Sequence, residues 1–121
     1  MQKIHPIHVG STGPEVANLH KGLLFIFFHE PGVSHATREA LRQRLAPEIL
    51  TETYGDATQE LVGIWQNQLK HWPDYFHPLP HDLAEKVRTL SISSATGRGN
   101  GDVDEITAEA LNWFIRKLAG H

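Results

Sequence analysis

The chain has 121 residues, 40% hydrophobic and 21% charged, a balance that supports one ordinary folded core and suggests neither a disordered chain nor a membrane protein. Eleven Lys plus Arg against fourteen Asp plus Glu give a formal charge of −3, so no broad positive field exists to capture a phosphate backbone, and nucleic acid is not an expected partner. Cysteine is absent, which removes disulfides and thiolate chemistry but leaves the compartment open.

The opening stretch MQKIHPIHVGS lacks the continuous apolar run of a secretory signal. The dense run LLFIFF, Leu23 to Phe28, is far too short to cross a bilayer, so no membrane span is expected. A first helix is expected from Gly13 or Pro14, because proline suits the first helical position, where its missing N–H would be unpaired anyway. Val16, Leu19, Leu23 and Phe27 make one apolar face, and Leu24, Phe25, Ile26 and Phe28 widen it almost all round. Its C-terminal half should therefore be buried on several sides.

Pro31 and Gly32 end that helix, and Leu41, Leu45 and Ile49 then predict a second, capped by Ser34 or Thr37 and bent at Pro47. A third follows Gly55 or Asp56, either of which can cap it, with Leu61, Val62, Trp65 and Leu69 as its buried stripe. The proline-rich HWPDYFHPLPHD is a loop, and Leu83, Val87 and Leu90 suggest a short fourth helix. SISSATGRGNGD, built of small and turn-forming residues, reads as a flexible connection before a last helix from Asp104 to about Leu118. Sustained period-two alternation is missing, which leaves an all-α chain with at most a short extended pair near Val9 or Val103.

Shifting the third helix by 49 positions lays Thr58 on Thr107, Leu61 on Ala110, Val62 on Leu111, Trp65 on Phe114 and Leu69 on Leu118. Two helices that repeat a cap, a threonine and an apolar stripe are what a shared core requires, which makes both threonines scaffold residues. Neither has a base nearby in sequence to activate it as a nucleophile.

GSTGPEVANLHKGL, YGDATQELVGIWQ and NGDVDEITAEALNWFIRKL resemble the three signature blocks of the peptidoglycan-binding-like domain. The matches are Gly10, Ser11, Gly13, Pro14, Val16 and Leu19, then Gly55, Thr58, Val62 and Gln66, then Gly101, Val103, Asp104, Thr107, Ala110 and Leu111. Departures are His20 for glutamine, Tyr54 and Trp65 for phenylalanine, Leu61 for alanine and Asn100 for aspartate. The resemblance implies an orthogonal three-helix bundle, here a single domain over 1–121 with core blocks 10–24, 54–66 and 100–118. Insertions over 29–53 and 71–99 would add one or two helices. It also implies a non-catalytic module that binds cell-wall peptidoglycan, by its glycan or its stem peptide, within a larger exported bacterial protein. Its setting would then be periplasmic, wall-associated or secreted.

For such a ligand the candidate residues are Trp72 and Tyr75, flat rings in a proline-stiffened loop, with Asn100 and Asp102 in the turn before the last helix and Trp113 on that helix. Capping the bundle or closing the turn would equally explain them. Nine histidines invite a metal reading, but none has the spacing of a zinc motif, and scattered surface histidines are the simpler account. The carboxylates Glu15, Asp56, Asp104 and Glu105 fall at helix starts and read as caps, not as a facing catalytic pair. Neither an enzyme activity nor a cofactor is expected. The alternative is an assembly domain of a secreted toxin or injection apparatus, docking a partner on the apolar stripe around Phe25 and Phe28.

Overall fold

Proline and capping residues mark where the helices begin. In the computed structural model, which describes residues 2–29, 34–71 and 79–120, α1 spans Pro14–His29 and α2 His35–Thr51. They are followed by α3 (Asp56–His71), α4 (His81–Val87) and α5 (Glu105–Ala119). Ser34 caps α2 by accepting from the Thr37 amide, and Asp104 caps α5 by accepting from the Thr107 amide at 2.7 Å. The second helix runs on through Pro47, whose missing N–H leaves one intrahelical bond unmade. The described residues form no sheet, only isolated antiparallel bridges. One of these, Ile7 with Val103, is the short extended pair expected near Val103.

The main helix contacts form a closed circuit, α1 on α2, α2 on α3, α3 on α4, α4 on α5 and α5 back on α1. Inside it lies one apolar cluster that draws Val16, Leu19, Leu23 and Ile26 from α1, Leu61, Val62, Trp65 and Leu69 from α3, and Ala110, Leu111 and Phe114 from α5. Burial of each large apolar side chain stabilises the fold by about 1.5–3 kcal/mol relative to exposure. Trp65 meets Phe114 edge-on, with ring centroids 5.4 Å apart, so the two halves of the repeat touch at equivalent positions. Of the repeated apolar positions only Leu118 is half-buried; the others are buried.

Two segments differ from the sequence expectation. The stretch after α4 is a closed turn, not a loose connection: the Ser93 amide donates to the Arg98 carbonyl at 2.8 Å, and Ile92 bridges Gly99. Its descending arm lies against α3, where the Gly99 amide donates to the Gly63 carbonyl at 2.9 Å. A Cβ on Gly63 would stand 2.9 Å from the Gly99 oxygen, so the approach depends on that glycine. On α1, Phe25 and Phe28 are only half-buried together with Leu24, and what α2 sets over the Phe28 ring is the Arg42 side chain.

The amino-terminal segment is strapped down by two asparagines. Asn112 accepts from the Ile4 amide and donates to the Ile4 carbonyl, both at 2.8 Å, and Asn18 does the same for Gln2 at 3.2 and 2.9 Å. Each side-chain amide imitates a neighbouring strand, which explains how an extended segment packs on helices without a sheet.

Candidate functional site

At the start of α3, Thr58 is wholly buried and joined to both neighbouring helices. Its hydroxyl donates to Glu48 Oε1 of α2 at 2.5 Å and lies 2.8 Å from His20 Nε2 of α1. Because the hydroxyl hydrogen is spent on the carboxylate, His20 must donate its Nε2–H to Thr58, which fixes the tautomer. Nδ1 of His20 then bears the lone pair; it is buried and finds no hydrogen-bond partner among the described residues. Glu48 also accepts from the amides of Gly55 at 3.0 Å, Ala57 at 2.8 Å and Thr58 at 2.9 Å. Gly55 holds the N-cap position, as the local sequence suggested, its carbonyl accepting from the Gln59 amide at 2.9 Å, but the side-chain acceptor for the first amides is a carboxylate from another helix.

This arrangement moves both titrations. Burial pushes the His20 imidazole below its ordinary value, although the charge of Glu48 pulls the other way. For Glu48, burial raises the pKa, but the bonds from Thr58, Ala57 and Gly55 outweigh it and hold the carboxyl below the usual range. His20 is thus an exception to the surface-histidine reading, whereas His5, His8, His29, His35, His71 and His81 are exposed. Its position was legible, since residue 20 falls four after Val16 and three before Leu23, inside the buried stripe.

The hydroxyl of the matching threonine of α5 is held by a neutral amide. Gln66 donates through Nε2 to the Thr107 hydroxyl at 3.0 Å and to the Asp102 carbonyl at 2.7 Å, while its Oε1 accepts from the Gly101 amide at 3.1 Å. Tyr54 donates its phenol to the Gly101 carbonyl. Burial and the nearby Asp102 charge push that phenol far above its ordinary value. Gly101 sits at φ +83°, where a side chain would be strained and would also run into Gln59.

Of the expected ligand residues, Asn100 and Asp102 are brought together in this turn, and both side chains are engaged inside the fold. Asn100 Oδ1 accepts from the Asp102 amide and Asp102 Oδ1 from the Val9 amide, each at 2.9 Å. Trp113 is half-buried on α5 with its ring edge-on to Phe114 at 5.0 Å. Trp72 and Tyr75 lie outside the described residues.

An open-sided groove of about 850 Å³ runs along the outer side of α1. Pro14, Ala17, Leu24, Phe25 and Phe28 form its apolar floor at helical spacing, and Asn18 and Lys21 stand among them. Arg42 and Glu52 of the α2 segment make the facing wall, and Gln2 closes one end. Arg42 lies over the Phe28 ring, 5.3 Å from its centroid, and Phe25 stacks on His29 at 4.1 Å. Nothing in the sequence pairs α2 with this stripe, so the sequence could show the excess of apolar residues but not the wall opposite them.

Among the described residues no group of three or more His, Cys, Asp or Glu side chains is placed to hold a metal ion, and no helix is long and apolar enough to cross a membrane. No protein-family model, curated protein or solved structure matches the chain.

Proposed function

We propose that this all-α chain is a non-catalytic peptidoglycan-binding module of a larger exported bacterial protein, with α1, α3 and α5 as its orthogonal core and α2 and α4 as insertions. The observation that carries the reading is the convergence of the three motif blocks. Val16 and Leu19, Val62 and Trp65, and Leu111 and Phe114, distant in sequence, share one core. A nucleophilic role for Thr58 itself is disfavoured, because its hydroxyl is buried and gives its hydrogen to Glu48, so that His20 is a donor to it and not its base. Purified insoluble peptidoglycan tests the proposal: the chain should sediment with it well above an inert protein control, and sedimentation no greater than the control overturns it.

A further inference from the structure

We infer that the groove along α1 is a peptide site, and that it takes a short extended peptide bearing free carboxylates and an amine. This rests on the wall-binding reading and narrows it: the wall component recognised is the stem peptide and not the glycan strand.

Dimensions and charge both lead there. From Pro14 to Phe28 the floor covers fourteen residue steps, about 21 Å at the helical rise, which matches about six extended residues. Its ends differ in charge. Arg42 projects from α2 over Phe28, with an exposed ion pair to Glu39 of its own helix at 3.6 Å that leaves it further N–H donors, and exposed Lys21, which has no ion-pair partner among the described residues, stands at mid-groove. Both offer donors to carboxylates. At the other end Glu52 lines the groove beside Pro14 and offers an acceptor to an ammonium. Between them Ala17, Leu24 and Phe25 give an apolar floor for small side chains such as alanine.

Pyranose rings are poorly served by the same surface. A sugar needs an open aromatic face, and here the Phe28 ring is covered by Arg42 while Phe25 is stacked on His29. Of the two side-chain amides on the groove, that of Asn18 is already bonded to the Gln2 backbone in both directions, which leaves only the Gln2 side chain, at one end. Glu52 adds a local observation. It ends α2 in the left-handed region at φ 51°, a position where glycine is the unstrained choice, and it lines the groove.

The test uses three probes: insoluble peptidoglycan, the soluble peptides that an amidase releases from it, and the glycan strands left behind. Peptides added to 15N-labelled protein should shift amide resonances of α1 and Arg42 and displace the protein from the insoluble wall; glycan strands should do neither. K21E/R42E, both changes at exposed positions, should weaken peptide binding about tenfold, in line with the loss and reversal of two charge pairs. E52G should bind less tightly while melting at a higher temperature. Sedimentation with the wall that is displaced by glycan strands alone overturns the inference and leaves the wall-binding reading intact. Peptide binding in the groove without sedimentation supports the groove and overturns the wall reading. Peptide resonance shifts confined to the 100–102 turn overturn the inference even if every variant misfolds.

Discussion

The two halves of the repeat place the same threonine in the same register and satisfy it in opposite ways. Thr58 of α3 is held by an ionised carboxylate and a neutral imidazole, both delivered by other helices. Thr107 of α5 has its amide capped by Asp104, three residues away, and its hydroxyl bonded by a neutral amide, Gln66. A repeated pattern therefore specifies where the apolar stripe goes without specifying the polar chemistry beneath it. The α3 end ties three helices to one another and carries the two displaced titrations of His20 and Glu48; the α5 end joins only α3 and α5 through its threonine hydroxyl.

Removing the caps should separate the two ends most clearly. Glu48→Ala strips acceptors from three amides and a hydroxyl at once and should cost about 3 kcal/mol, whereas Asp104→Ala loses a single cap and should cost about 1 kcal/mol. Urea unfolding of both variants measures the difference, and equal midpoints would show that the trans cap is no stronger than the local one. The threonines themselves give a smaller contrast. Thr58→Val leaves the buried His20 Nε2–H without an acceptor and should cost about 2 kcal/mol. Thr107→Val should cost about 1 kcal/mol or less, because Gln66 keeps its bond to the Asp102 carbonyl.

Acid gives the smallest effect and the sharpest distinction. The folded His20 has a lowered pKa, so the unfolded chain binds its proton first: this stability is complete above about pH 6.5 and falls as pH drops towards the folded value. Glu48 is also lowered, so its contribution is complete above about pH 4.5 and is lost on further acidification. The first limb can be no steeper than about 1.4 kcal/mol per pH unit, the ceiling for one proton. Thermal melts between pH 7 and pH 5 should show that limb in the natural chain and not in His20→Gln. A limb of equal size in the variant would assign it elsewhere.

Helix positions were legible because periodicity and punctuation are local. Pro14, Ser34 and Asp104 start or cap helices as the sequence indicated, and the 49-residue offset foretold the meeting of Trp65 with Phe114. Pairings set by tertiary geometry were not legible. Glu48 reaches the start of α3 only because α2 packs alongside it, and Asn112 meets Ile4 across 108 residues of sequence. A polar residue on a helix has no local sign of the backbone it will satisfy. The candidate site was only partly legible for the same reason: turn chemistry alone could explain Asn100 and Asp102 in the sequence, and in the fold their side chains bind amides of Asp102 and Val9. The stripe of Phe25 and Phe28 was visible in sequence, while the cation and the carboxylate opposite it come from α2.

The closed turn after α4 offers a practical opening. Its two arms are joined by the amide of Ser93 and the carbonyl of Arg98 at 2.8 Å, and the tip between them, including Ala95 and Thr96, is exposed. Foreign sequence spliced between those two residues would enter and leave at nearly the same point, so an epitope tag or a reporter could ride there without prying the helices apart.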